Sequence, residues 1–213
     1  VNQLAPLSHT FRAMGARRVL IDGAAGRKSL AGAEPGACAI LCVGASMDGG
    51  VSAIAAETAH TCRLFATPEA EHTGLWSALS RETARYALYT LEGERLPLAL
   101  EENGQPRWHE LPREKCVLWI GGGVTGPTLR TLARRGAPIV LAAPDATHFL
   151  CDRTSTETFH RCGGELLVRQ KLTIAAVTAN PWSAYGKHLD GAELLRALRS
   201  VVTVPVVNVK GEN

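Results

Sequence analysis

Short apolar runs that end in glycine or a polar residue constrain the fold of this chain more than any other feature. They occupy residues 19–21, 38–44, 116–120 and 138–142, and segments with helical periodicity lie between them. Runs of this length and character are typical of parallel strands that are buried on both faces. Alternation of such strands with helices predicts the α/β class. We therefore expect a mostly parallel, three-layer α/β sheet.

The character of the sequence changes between residues 67 and 114. A short helix is predicted near 74–83, and two runs at 86–91 and 96–100 flank a turn, which favours a β-hairpin. The polar stretch 101–113 is typical of an exposed linker. The sequence thus predicts a first α/β half at 1–66, a helix, β-hairpin insertion and linker at 67–114, and a second α/β half at 115–213.

Composition and charge exclude several classes of protein. A net charge of +3 over 213 residues is too small for a nucleic-acid-binding surface. No apolar run approaches the ~20 residues of a membrane span. Six cysteines without a C-x-x-C pair favour a reduced, cytoplasmic setting, and Cys38 and Cys42 are predicted to be buried in a strand. Because the chain begins at Val1 and enters a helix directly, we expect it to be part of a longer protein.

The first candidate site follows the apolar run at 19–21. Asp22 and Gly23 come where the predicted strand ends, and Arg27, Lys28 and Ser29 add two cations and a hydroxyl. Ligands of open α/β sheets bind beyond the carboxyl ends of the strands, so a phosphate or a Mg²⁺-phosphate fits these groups. The alternative is a plain turn with solvated cations. The spacing does not match G-x-x-x-x-G-K-[ST], which excludes a Walker-type loop.

A second candidate is the glycine-rich loop at 121–126, which contains Gly122, Gly123 and Thr125. A strand, a glycine loop and a helix N-terminus in succession can bind an anion. The same residues could instead form only a tight structural turn.

A third candidate is the loop at 178–190, where a buried strand is followed by polar and aromatic residues. Asn180, Tyr185 and Lys187 are its candidate ligand contacts, and Asp190 is placed to cap the next helix. Loops at strand ends are frequent binding sites.

Two further sets of residues could form a catalytic or metal site, but each has a simpler explanation. Glu57 and His60, three residues apart on a predicted helix, could orient a base or bind a metal, but such pairs are common on helix surfaces. The spacing of the histidines and cysteines between residues 148 and 162 does not match a zinc site, so we expect no metal cluster.

Three segments together resemble the smaller, nucleotide-binding-type (B-type) subunit of lysine 5,6-aminomutase reactivases. They are residues 20–29, residues 57–61, and residues 176–190 followed by the strand at 204–206. The regions of Thr125 and of residues 163–164 look similar too, so the resemblance covers nearly the whole chain. In that family further sequence precedes the matched region, and a nucleotide loop would lie there.

The resemblance implies a chaperone-like component of an ATP-dependent factor that reactivates an adenosylcobalamin-dependent lysine or ornithine aminomutase in lysine degradation. It implies ATP and Mg²⁺ for the longer parent protein, with Asp22 holding Mg²⁺ through water. The implied partners are a second reactivase subunit and lysine 5,6-aminomutase or a related mutase, without nucleic acid or membrane; a homo-oligomer stays open. Two alternatives also stay open: a nucleotide- or phosphate-binding small-molecule enzyme, and a non-catalytic α/β scaffold that presents the hairpin to a partner.

Overall fold

The computed structural model describes residues 4–21 and 38–209, which form an α/β protein. The α-helices of these residues are α1 (Leu4–Ala13), α2 (Val51–Phe65), α3 (Thr73–Arg81), α4 (Gly126–Ala133), α5 (Arg153–Arg161) and α6 (Gly191–Arg199). The strands are β1 (Cys38–Gly44), β2 (Tyr86–Tyr89), β3 (Arg95–Leu96), β4 (Cys116–Ile120), β5 (Val124–Thr125), β6 (Ile139–Ala143), β7 (Phe149–Leu150), β8 (Gly164–Val168), β9 (Thr173–Asn180) and β10 (Val206–Asn208).

The chain divides into two compact units. One comprises Val1–Ala66 together with Leu172–Asn213, and the other comprises Thr67–Lys171. The predicted second half, 115–213, is therefore distributed differently from the expectation: its last two strands, β9 and β10, pair with β1. The partner of a strand is set by contacts between distant parts of the chain, which local sequence patterns do not encode.

The sheet of the first unit has the order β1-β9-β10, and all its pairs are parallel. Helices α2 and α6 contact each other and the strands. Val43, Val177 and Val206 are buried in this unit, as are Leu194 and Leu198 of α6. This packing fixes the carboxyl ends of β1 and β9 next to each other.

Strand β1 differs from the prediction of a strand buried on both faces. Cys38, Ile40 and Cys42 alternate along one face of β1 and are exposed, Ile40 to 58%. The two cysteines are thus not the small buried residues that we expected. The sequence pattern did not reveal the exposed face because β1 carries apolar residues on both faces. An edge strand that is covered on one side needs apolar residues on that face only.

The apolar run at 19–21 also differs from its prediction. Residues 18–21 form no strand, and Leu20 is 89% exposed. Residue 22, the predicted end of that strand, lies outside the described residues. Three apolar residues in a row do not distinguish a strand from an exposed connection, because a strand also needs a neighbour to pair with.

The second unit contains a mixed sheet with the order β3-β2-β4-β6-β8 and a small parallel pair, β5-β7. The predicted hairpin is confirmed as β2 and β3, which pair antiparallel, but β3 spans only Arg95–Leu96 and the rest of the predicted strand at 96–100 does not pair with β2. Strands β4, β6 and β8 are parallel. Leu75 and Leu79 of α3 pack on the face that carries Trp119. On the other face, Phe159 of α5 lies directly over Gly164. This unit therefore has the three layers that the sequence predicts.

Among the described residues, no helix combines the length and the apolar character needed to cross a bilayer.

Candidate functional site

The candidate site of the first unit lies where β1 and β9 end. The backbones approach so closely there that a Cβ on Gly44 would lie 2.1 Å from the carbonyl oxygen of Asn180. The amide of Ala45 donates to that same oxygen at 2.9 Å. Only glycine fits this position, and the loops that follow the two strands therefore start side by side.

The loop after β9 forms a short hairpin, which we call the 181–189 hairpin. The Ser183 amide donates to the Lys187 carbonyl at 2.9 Å, and the Leu189 amide donates to the Pro181 carbonyl at 2.9 Å. Gly186 supplies the turn with a φ of 82°, a conformation that favours glycine. The predicted ligand loop is therefore a folded element rather than an open chain.

Lys187 joins this hairpin to the loop between β1 and α2. Its ammonium donates to the carbonyl of Met47 at 3.2 Å and, by a shorter contact, to the carbonyl of Gly49. Ser46 and Ser183 add a hydroxyl–hydroxyl hydrogen bond of 3.2 Å between the same two loops. No carboxylate of the described residues lies within ion-pair distance of the Lys187 ammonium. The cation is half-buried, and its acceptors among the described residues are neutral carbonyl oxygens.

The other predicted residues of this loop have different environments. Asn180 uses its side-chain oxygen to accept from the Trp182 amide at 3.1 Å, so it shapes the start of the hairpin. Trp182 packs edge-on against His188 with ring centroids 4.4 Å apart and is 56% exposed. Tyr185, near the tip, is 89% exposed. The hairpin thus presents aromatic surface to solvent, and Lys187, next to its turn, holds it against the β1–α2 loop.

Glu57 and His60 of α2 do not share a solvent-facing surface. Glu57 is exposed, whereas His60 is buried at 4% exposure. Because one residue is exposed and the other is buried, the two form neither a pair on the helix surface nor a shared metal site.

The glycine loop after β4 belongs to the second unit. Gly122 is open, because a Cβ there would meet nothing within 4 Å, whereas a Cβ on Gly123 would lie 2.9 Å from a side-chain carbon of Leu150. The Thr125 hydroxyl bonds the Thr128 hydroxyl at 3.1 Å and does not cap α4. The end of the exposed Leu150 side chain can turn away from such a Cβ, so packing requires neither glycine, and both leave room for a ligand.

Sequence reasoning missed a histidine–aspartate pair directly after β6. Asp145 is buried, and one of its carboxylate oxygens accepts from the Thr147 amide at 2.8 Å, the Thr147 hydroxyl at 2.5 Å and His148 Nδ1 at 3.3 Å. Burial alone raises the pKa of Asp145, but the hydrogen bonds from His148 and Thr147 outweigh it and hold the pKa below its usual value. The sequence signal was present, since Asp145 follows a buried strand as Asp22 was expected to do.

A second group that sequence reasoning missed surrounds Glu82, whose side chain is 4% exposed. Its carboxylate accepts from the amides of Thr83 and Ala84 at 2.8 and 2.6 Å, from Arg95 Nη1 at 3.0 Å, and from the Tyr89 hydroxyl by a shorter contact. Burial and the hydrogen bond to Glu82 raise the pKa of Tyr89 to about 12. Four donors satisfy this carboxylate, so it joins α3 to the β2–β3 hairpin and leaves no oxygen for a ligand.

The candidates of the sequence thus fall into three sets. Asn180, Tyr185 and Lys187 share the first unit, and Gly122, Gly123 and Thr125 share the second. The first candidate, Asp22, Gly23, Arg27, Lys28 and Ser29, lies outside the described residues, and so does the Mg²⁺ ligand role of Asp22. The described residues contain no group of three or more His, Cys, Asp or Glu side chains that could hold a metal ion.

A scan against protein-family models matches no family, and searches among curated proteins and among solved structures return no match. Function is therefore inferred from the residues and their geometry.

Proposed function

We propose that this chain is a component of an ATP-dependent reactivating factor for an adenosylcobalamin-dependent lysine or ornithine aminomutase. The resemblance of residues 20–29, 57–61 and 176–190 to the B-type reactivase subunit supports this. The second and third of these segments belong to one unit: 57–61 lies in α2, and 176–190 comprises the end of β9 and the 181–189 hairpin. In this proposal the factor acts in the cytoplasm with a second reactivase subunit and uses ATP and Mg²⁺ to release inactive cobalamin from the mutase.

The observation that carries the proposal is the position of the Lys187 ammonium. A nucleotide-driven factor needs an element with two arrangements, one of which the terminal phosphate of the nucleotide favours. Lys187 bonds only neutral carbonyl oxygens of Met47 and Gly49 among its described contacts. Hydrogen bonds between a cation and a phosphate are stronger than those to neutral acceptors. A phosphate nearby would therefore draw the ammonium away and release the hairpin from the β1–α2 loop.

The proposal assigns different roles to the candidate residues. Asp22, Arg27, Lys28 and Ser29 would contact Mg²⁺ and phosphate in the parent protein, and Lys187 would respond to the phosphate. The exposed aromatic residues of the hairpin, Trp182 and Tyr185, would then change their exposure when the hairpin moves.

Reactivation of the mutase tests the proposal. The chain, within its parent protein and with the second subunit, is added to lysine 5,6-aminomutase that has lost its adenosyl group, together with ATP, Mg²⁺ and fresh adenosylcobalamin. We expect ATP-dependent recovery of mutase activity, and we expect Lys187→Met to reduce it. Lys171→Met is the matched control, because Lys171 is exposed and its described hydrogen bond uses only its backbone amide. Absence of any ATP-dependent recovery would refute the proposal.

A second candidate function, a small-molecule enzyme of nucleotides or phosphates, is favoured by the Asp145–His148 pair. A carboxylate that binds one ring nitrogen of a histidine orients the ring as a general base. Calorimetry of this chain with ATP and Mg²⁺ separates the two candidates. Tight binding by these 213 residues alone supports the enzyme, whereas the reactivase proposal places the nucleotide loop in preceding sequence and expects weak or no binding.

A further inference from the structure

The β2–β3 hairpin opens into a groove that the proposed function does not use. The two strands pair over only two positions, Leu88 with Leu96 and Tyr89 with Arg95. Pro97 follows and has no N–H with which to continue the ladder. The chain diverges from β2 at this point, and a groove of about 440 Å³ opens between Tyr86–Leu88 and the segment from Leu96 to Leu100.

One wall of this groove carries unpaired backbone groups. On its other edge, β2 pairs with β4, and the Gly121 amide donates to the Arg85 carbonyl at 2.9 Å. In an antiparallel ladder, successive residues direct their N–H and C=O groups to opposite sides. Those of Tyr86 therefore point into the groove, and no backbone group of the described residues bonds them.

The remaining walls are mostly apolar. Arg95 lines the groove and is paired with Glu82, and a second cation, Arg85, lies beside the Tyr86 end of the groove. Leu96, Leu98 and Leu100 line the groove, and Leu100 is 46% exposed. Arg85 lies over the Tyr86 ring at 5.4 Å and has no carboxylate partner among the described residues. The Tyr86 ring itself is fixed, because its hydroxyl donates to Gln105 at 2.9 Å and its edge meets Trp108 at 6.3 Å.

We propose that this groove binds an extended, apolar peptide segment of a partner protein that carries a carboxylate. The backbone of the segment would pair with the N–H and C=O of Tyr86, its apolar side chains would cover the leucines, and its carboxylate would meet Arg85. A peptide backbone supplies both the acceptor and the donor that Tyr86 lacks, which an apolar small molecule does not. Strand addition to an exposed sheet edge is an established mode of peptide recognition. This inference is independent of the reactivase proposal.

The test uses a synthetic probe, a fluorescein-labelled peptide of alternating valine and threonine that ends in glutamate. Its binding to the full chain is measured by fluorescence polarisation, with the same peptide N-methylated at each core residue as the control. We expect the unmodified peptide to bind and the N-methylated peptide to bind at least roughly tenfold more weakly, because it cannot donate backbone hydrogen bonds. We also expect the amide of Tyr86 to exchange its hydrogen several-fold more slowly when the peptide is bound.

Two leucine variants locate the binding. Leu100→Glu places a carboxylate in the groove and should weaken the peptide roughly tenfold or more. Leu91→Glu is the matched control, since Leu91 is similarly exposed at 38% and does not line the groove. Failure of the unmodified peptide to bind, equal binding of the N-methylated peptide, or unchanged exchange at Tyr86 would each overturn the proposal. So would equal effects of the two leucine variants.

Discussion

Gly44→Ala tests whether the close approach of β1 and β9 holds the candidate site of the first unit together. The new Cβ would lie 2.1 Å from the carbonyl oxygen of Asn180 and 2.9 Å from its carbonyl carbon. These are backbone atoms, so no side-chain rotation relieves the overlap. The two strand ends must move apart by at least roughly 1.3 Å to reach an ordinary contact.

The loss of stability follows from that displacement. The hydrogen bond from the Ala45 amide to the Asn180 carbonyl, now 2.9 Å, would lengthen to about 4 Å and be lost. A lost backbone hydrogen bond lowers the free energy of unfolding by about 1 kcal/mol, and overpacking lowers it by a further 1 to 3 kcal/mol, roughly. We therefore expect a total loss of about 2 to 4 kcal/mol, a large part of the stability of an ordinary domain.

Urea unfolding followed by circular dichroism measures this loss, and amide exchange of the 181–189 hairpin reports whether the site loosens. Gly191→Ala is the control in the same unit: its Cβ would lie 3.4 Å from Pro181, an ordinary contact, at the first position of α6. It should be neutral or stabilising by up to about 1 kcal/mol. If the free energy of unfolding of Gly44→Ala lies within about 0.5 kcal/mol of the wild-type value, the close approach does not constrain the strands as we argue.

Two further predictions concern the second unit. The pKa of Tyr89 is raised to about 12 from an ordinary value of 10. The free energy of unfolding should therefore be highest below pH ~10 and should fall by roughly 2 to 3 kcal/mol as the pH rises to ~12. Tyr89→Phe should remove this alkaline loss in pH-dependent urea unfolding, and an unchanged alkaline profile would contradict the assignment. The lowered pKa of Glu82 affects stability at acidic pH. The stabilisation it provides is present above pH ~4.3 and is lost as the pH falls through the pKa of Glu82 in the folded state. Glu82→Gln should therefore make the free energy of unfolding less dependent on pH in the acid range. Gly164→Ala would place a Cβ 2.5 Å from the Phe159 ring and should lower the free energy of unfolding by roughly 1 to 3 kcal/mol, measured in the same assay; a neutral effect would show that the ring yields.

The elements of the fold were largely predictable from the sequence, whereas the connections between them were not. The predicted helix that carries Glu57 and His60 corresponds to α2, and the helix that Asp190 was expected to cap corresponds to α6, because apolar periodicity and capping residues are local information. The pairing of β9 and β10 with β1 joins distant parts of the chain, and no local pattern specifies it. The exposed face of β1 was hidden for a related reason, since Ile40 is apolar although it faces solvent.

The candidate site was predictable in location and not in contacts. The rule that ligands gather at strand carboxyl ends selected the loop of Lys187, and it would equally have selected Asp145. No sequence pattern predicts that the Lys187 ammonium binds the carbonyls of Met47 and Gly49, because every residue has a carbonyl and only the folded backbone brings two of them together. Glu82 gave no signal for the same reason: two of its four donors are backbone amides.

The contacts of Lys187 also determine which ligand can move the 181–189 hairpin. A ligand shifts an equilibrium between two arrangements only by the difference in its affinity for them. Because neutral carbonyls hold the ammonium, a competing group must be a stronger hydrogen-bond acceptor. In the proposal this group is the terminal phosphate of ATP, which ADP lacks. In the reactivating factor that we propose, ATP should therefore speed amide exchange in the hairpin and ADP should not. If both nucleotides leave the exchange unchanged while ATP still drives reactivation, Lys187 is a structural tie and the moving element lies elsewhere in the factor.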